Sequence, residues 1–150
     1  EILIGLVGSE MCIRDSCGIL SGTLASLTGI FVLCMLFGFN HQQYVTMLPK
    51  SITTAIGIGI SEELGGIVTI TVAVIIITGI LGNVIADTVF HIFKIKNPLA
   101  KGLALGTASH AIGTARAIEM GPVEGAMSSL AVAVAGLLTV VFVSGFAQLI

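Results

Sequence analysis

The sequence predicts an all-α integral membrane protein with about three full transmembrane helices plus two broken or re-entrant helical segments forming an internal repeat. Three observations carry this. Of 150 residues, 55% are hydrophobic and only 9% charged, with a mean hydropathy of +1.12, whereas a soluble domain has about 25% charged residues. Three uncharged runs are each long enough to cross a bilayer core, which takes about 20 apolar residues. The stretches between them, "LPKSITTAIGIGISEELGG" (48–66) and "LALGTASHAIGTARAIEMG" (103–121), are polar, glycine-rich and alike.

The first run covers residues 16–40. Its small residues Gly18, Gly22, Ala25, Ser26 and Gly29 recur at spacings of three and four, which gives a smooth face for close helix packing; Gly is also simply common in membrane helices. The second run, 67–86, is twenty residues rich in Ile and Val and extends to about Phe93. Such β-branched content suggests a strand in water, but lipid does not tolerate an open sheet edge, so a helix is expected. The third run is 125–150.

One stretch breaks the pattern. "GSEMCIRDSCG" (8–18) puts Glu10, Arg14 and Asp15 beside an apolar run, and mid-membrane charges cost several kcal/mol each, as an order of magnitude. Two readings fit: a polar loop between helices, or a non-native stretch, since "SEMCIRDS" resembles translated sequencing-adaptor read-through. The second is preferred, and no function is placed on residues 9–17. The chain starts at Glu1 and ends at Ile150 inside apolar runs. It is expected to be a single membrane-domain fragment of a longer protein, with the missing part N-terminal.

Cys12, Cys17 and Cys34 have neither an even count nor a CxxC spacing, so neither a disulfide framework nor a metal site is expected. Cys34 reads as a small apolar filler. No basic, aromatic-bearing patch suits nucleic acid. "FKIKNPLAK" (93–101) holds three of the six basic residues, which places that loop on the cytoplasmic side.

A shift of 56 residues aligns the two polar stretches. Ala55-Ile56-Gly57 falls on Ala111-Ile112-Gly113, and Glu63-Leu64-Gly65 falls on Glu119-Met120-Gly121, without a gap. Secondary transporters are built this way, with interrupted helices meeting near the midplane to form the binding site. The alternative, ordinary surface loops with helix caps, gives no reason for the mostly apolar "AIGIGI" and "ALGTASHAIGTA". Re-entrant segments would make the two units inverted and full crossings would make them parallel; the inverted arrangement is preferred.

Ser51, Thr53 and Thr54 in the first segment, and Thr107, Ser109 and Thr114 in the second, offer hydroxyl donors, joined by His110 and Arg116. Arginine's planar fork pairs with carboxylates, and half-helix N-termini add positive dipole ends, so the set suits a small anionic substrate. Each residue has a plainer role available. Arg116 can pair with Glu119 at i+3, His110 can be a satisfied interior histidine, and Lys50 can snorkel to the interface. Asp87 and His91 can bond each other at i,i+4, and Glu63 and Glu119 can share a structural role at the segment ends. No catalytic constellation is present, and neither an enzyme, a metal nor a cofactor is expected.

"LPKSITTAIGIGISEELGGI" and "KGLALGTASHAIGTARAIEMGPVEGAMSSLAVAVAGLLT" resemble the LrgB/CidB family of bacterial membrane proteins, over about residues 18–150. Members are about half as long again, with further N-terminal helices. The resemblance implies a multi-pass protein of the bacterial inner membrane with a small LrgA/CidA-type membrane partner; homo-oligomer formation stays open. It also implies either antiholin-like control of murein hydrolases and lysis, or transport of small monocarboxylates such as pyruvate or glycolate. The residues favour transport, because a lysis pore needs an oligomeric polar face and no spanning helix shows one.

Overall fold

The computed structural model describes residues 9–150, with side chains from Ile13 onward; Gly8 and the side chains of Glu10 and Cys12 lie outside the described residues. Among the described residues there are six helices and no strand: α1 (Ser9–Phe37), α2 (His41–Met47), α3 (Thr54–Glu63), α4 (Val68–Ile92), α5 (Pro98–Met120) and α6 (Pro122–Ala147). Three of them hold the expected spans, Ile13–Phe37, Val68–Ile92 and Pro122–Ala147. The polar-loop reading of residues 8–18 is overturned: with no proline to interrupt it, the backbone is helical from Ser9 straight into the span. The β-branched α4 is a helix as expected, and Ile77, Val84 and Ile85 lie on its exposed side.

The polar stretches are helical hairpins. Each starts on an asparagine cap: the Asn40 side chain accepts from the Gln43 amide at 2.9 Å, and the Asn97 side chain from the Leu99 amide at 2.9 Å. In the first hairpin α2 ascends, residues 48–53 turn, and α3 returns. The Thr71 hydroxyl donates to the Thr46 carbonyl (2.9 Å) and lies 2.8 Å from the Ser61 hydroxyl, whose proton it can accept, which joins both limbs at their base. Gly65, at φ +75°, closes α3 so that the Gly66 amide reaches the Ser61 carbonyl at 2.7 Å; a left-handed helix end of this kind favours glycine.

The second hairpin lies within α5. His110 has φ 43° and ψ −137°, outside helical space, and the chain reverses there. Before the break, Gly102 packs on Glu124 and Met127, and Gly106 on Ser128 and Ala131, so this limb runs parallel to α6. After it, the Thr114 and Ser128 hydroxyls meet at 2.8 Å and Ile118 packs on Gly125, so the returning limb runs antiparallel. Leu105 and Ala117 share a buried cluster with Ala86 and Phe90 of α4.

The hairpins enter from opposite faces. Along α4, Thr71 meets the base of the first hairpin and Ile75 packs on Gly57. Gly79 then packs on His110 at the second turn, and Phe90 on the second base. In α6 the order is reversed: residues 124–131 hold the second hairpin, Gly136 meets Ile56, and Val143 and Ala147 join the cluster around Tyr44. In α1, Gly18 packs on Leu103 and Gly22 on Thr107, Ser26 bonds Ser51, and Cys34 is buried against the first hairpin. The two turns therefore meet beside the middle of three spans, each roughly 38 Å long at 1.5 Å per residue. This is the inverted arrangement.

Two predictions follow from this packing. With the lysine loop cytoplasmic, Asn97→Cys in intact cells resists a membrane-impermeant thiol reagent while Gln42→Cys reacts. Gly106→Ala places a methyl 2.7 Å from the Ala131 Cβ and against the Ser128 carbonyl, costing about 1–3 kcal/mol by overpacking. Gly59→Ala, with nothing within 4 Å, gains up to about 1 kcal/mol of helix propensity. Thermal unfolding of the purified protein separates the two.

Candidate functional site at the hairpin turns

The turn of the first hairpin delivers Lys50 and Ser51 to the middle of the bundle. The Lys50 ammonium donates to the Ser51 hydroxyl at 2.7 Å and to the Ser26 hydroxyl of α1 at 3.2 Å, and Ser26 donates to Ser51 at 2.9 Å. Among the described residues no carboxylate pairs with Lys50; the ion pairs are those of Arg116. Lys50, Ser26 and Ser51 face Gly22, Ala104, Thr107 and Ala108 across a cavity of about 330 Å³. A second cavity, of about 590 Å³, runs from Asn97 and Leu99 at the second base and shares Gly22, Ala104 and Thr107 with the first. It provides a path from that face to the turns.

An ammonium held mid-membrane by neutral hydroxyls is electrically incomplete, since charges there pair or face water. One of its three N–H donors is uncommitted. The site can therefore bind a small anion at Lys50. The sequence reading offered Lys50 a snorkelling role at the interface; the lysine instead follows Pro49 in a turn that the two limbs carry inward. A signal was present: between Arg14 and Lys94 the chain has no other Lys or Arg.

The profile of the LrgB-like family matches residues 11–149. The chain belongs to the LrgB-like family. It is 41% identical over 132 residues to the antiholin-like protein LrgB of Bacillus subtilis (strain 168), covering 88% of this chain and 57% of that protein. It is 42% identical over 128 residues to the antiholin-like protein LrgB of Bacillus cereus (strain B4264), covering 85% of this chain and 56% of that protein. The chain thus spans little more than half the length of these relatives. No solved structure matches it.

The LrgB-like fold gathers only some of the expected site residues. The shift of 56 that aligns the repeat carries Ser51 onto Thr107, and these two meet at one cavity. Thr53 and Thr54 begin the returning limb of the first hairpin. Ser109 and His110 are buried against α4: Gly82 makes room for the serine and Gly79 for the imidazole. The His110 Nε2 lies 2.9 Å from the Ile75 carbonyl, and a carbonyl only accepts, so Nε2 carries the proton. His110 is the satisfied interior histidine, and it holds a backbone conformation that costs on the order of 1–3 kcal/mol. Thr114 donates to the His110 carbonyl or shares its proton with Ser128.

Arg116 lies at the base of the second hairpin, where it pairs with Glu119 at 2.7 Å and with Asp87 of α4. The pairing reading of Arg116 is the one the geometry shows, because Glu119 and Asp87 already engage its guanidinium six residues past the turn. Asp87 consequently bonds Arg116 and not His91, a partner that local spacing could not reveal. Thr107 also corrects the hydroxyl-donor reading: its proton goes to the Leu103 carbonyl at 2.8 Å, which leaves only lone pairs for the cavity.

Arg116→Ala is accordingly expected to lower thermal stability modestly, as for any part-exposed ion pair, and to leave substrate affinity unchanged. An Arg116→Glu/Glu119→Arg exchange does not restore the stability, because the new glutamate would face Asp87. Melting curves of the purified variants check both outcomes.

Proposed function

We propose that this protein carries small monocarboxylates of the pyruvate or glycolate class across the bacterial cytoplasmic membrane, as part of a transporter that works with a small LrgA/CidA-type membrane partner. The observation that supports this most is Lys50: a cation with no counter-charge among the described residues, beside a cavity where two inverted hairpins meet. The cavity, about 330 Å³, is at the small end of the roughly 300–1,000 Å³ range of ligand pockets, which suits a few-carbon acid. Inverted units around one central site also suit alternating access, in which one unit rocks against the other.

In this reading Lys50 binds the carboxylate, Ser26 and Ser51 fix the ammonium, and the wall of Gly22, Ala104 and Ala108 admits a short apolar body. The groove to Asn97 is the open path, and the packed cluster around Tyr44, Leu48 and Ile52 closes the other. A second reading, antiholin-like control of murein hydrolase export and lysis, draws on the name borne by the Bacillus relatives.

Uptake of labelled pyruvate, glycolate and lactate into vesicles bearing the full-length protein and its partner tests the transport reading. Lys50→Gln removes a charge-assisted hydrogen bond worth about 1.5–3 kcal/mol, so apparent affinity falls roughly 10- to 100-fold at equal protein abundance. Uptake unchanged in Lys50→Gln, or lysis phenotypes without any uptake, would favour the second reading.

A further inference from the structure

A cleft runs down the seam between α4 and the first limb of α5, on the side of that limb away from α1. Its outer end, about 460 Å³, is lined by Phe90 and His91 of α4, by Lys94 and Lys96 of the loop that follows, and by Lys101 of α5. Its inner end, about 220 Å³, is lined by Gly82, Ile85 and Val89 of α4 and by Ala104, Leu105 and Ala108 of α5. Phe90 belongs to both ends. The outer end gathers three of the six Lys and Arg of the chain. The inner lining has no charge and a single polar side chain, Ser109. From Lys101 to Ala108 the cleft descends roughly 10 Å, at 1.5 Å per residue.

The three lysines have no carboxylate partner among the described residues; the one carboxylate of the lining, Asp87, is taken by Arg116. The Lys101 ammonium stands 5.8 Å from the centre of the Phe90 ring, a cation–π contact. Lys94 holds a φ of 53°. It closes α4: its amide reaches the His91 carbonyl at 3.2 Å, and the Ile95 amide reaches the Phe90 carbonyl at 2.9 Å. A left-handed helix end of this pattern favours glycine, and Gly38 and Gly65 fill the corresponding positions after α1 and α3. A lysine here places charge on the rim at a conformational cost. Topology asks only for positive charge somewhere in a loop. It does not ask for lysines from two elements around one cavity, or for a lysine where glycine is at ease.

We propose that this cleft binds an anionic phospholipid from the leaflet on the lysine-loop side, with its phosphate among Lys94, Lys96 and Lys101 and the start of one acyl chain in the slot beside Phe90. Basic pockets between spanning helices suit phosphate headgroups of this kind. A soluble phosphate would use the lysines alone; the uncharged slot beneath them selects a lipid. Ile85 in that slot, and Ile92 and Phe93 at the end of α4, are exposed apolar side chains, as a lipid-facing surface requires. Ala104 and Ala108 also line the Lys50 cavity, so the acyl chain lies behind one wall of that site. The lipid site does not depend on the transport function proposed above.

The measurement is thermal unfolding of the full-length protein in a neutral detergent with added dioleoyl phosphatidylglycerol, compared with dioleoyl phosphatidylcholine and with inorganic phosphate. Phosphatidylglycerol is expected to raise the midpoint by roughly 3–6 °C at tenfold saturation of one site, and the other two to leave it unchanged. Lys94→Gly and Lys101→Gln are each expected to raise the half-saturating phosphatidylglycerol concentration roughly fivefold, the share of one lysine at an anionic headgroup. Lys94→Gly does so without lowering the lipid-free midpoint, because glycine suits the left-handed helix end; a lysine with a merely structural role would not separate the two readouts. Val89→Phe fills the slot, leaves every lysine in place, and is expected to diminish the shift as well. Equal midpoints in the two lipids for the wild type overturn the proposal, and this arm needs no variant to fold. Inorganic phosphate that matches phosphatidylglycerol overturns it in favour of a soluble-anion site. A phosphatidylglycerol shift undiminished in Lys94→Gly, Lys101→Gln and Val89→Phe overturns it in favour of a non-specific lipid shell.

Discussion

A helix that stops halfway across a bilayer leaves up to four backbone amides or carbonyls without partners at its broken end, and lipid cannot supply them. Everything else in this fold answers that constraint. The two turns can exist mid-membrane only because α1, α4 and α6 surround them, and those spans approach closely because glycine lines the contacts. Gly102 and Gly106 lie directly on the α6 backbone, Gly82 takes the Ser109 side chain, and Gly79 takes His110. Side chains complete the work: the His110 ring ties the second turn to the Ile75 carbonyl, and Asn83 donates to the Ile112 carbonyl at 3.3 Å just past the break. A buried site is thus a by-product of satisfying the backbone where helices end.

The parts of this arrangement that were legible in the sequence are those written in local chemistry. Uncharged length marked the three spans, and the aligned AIG and glutamate-hydrophobe-glycine blocks marked the repeat. Their mixture of small polar and apolar residues marked interrupted helices rather than surface loops. What local chemistry cannot encode is depth. Lys50 and Arg116 look alike on paper, each a lone cation in a polar segment, and the more chemically specific one was preferred. The fold reverses their ranks because a turn residue goes deep and a residue six positions past a turn comes back toward the surface. Hydroxyl polarity was equally hidden: a threonine advertises a donor, yet within a helix its proton returns to the carbonyl four residues back.

The repeat is symmetric in backbone and asymmetric in charge. The 56-residue shift carries Ser51 onto Thr107 but Lys50 onto Gly106. Gly106 is fixed by packing, since any side chain there would strike α6. Its counterpart in the first unit has no such neighbour and bears the only mid-membrane cation of the described residues. One unit therefore supplies tight anchoring to a span, and the other supplies charge.

That division has a dynamic corollary. The second hairpin is clamped to α6 along both limbs and tied to α4 by the Arg116–Asp87 pair, so those three elements form the firmer body. The first hairpin touches α6 at fewer places, chiefly Gly136 and the Tyr44 hydroxyl, which donates to the Phe146 carbonyl at 2.8 Å. If one unit rocks against the other, the weaker seam is the one beside the first hairpin, and Lys50 rides on it. Under the transport reading, motion along that seam changes the access of Lys50 and the shape of the cavity that Ser51 and Thr107 line together. Under that reading the charge rides on the unit held less tightly to α6, and one displacement would shift Lys50 relative to the wall that Ala104, Thr107 and Ala108 form.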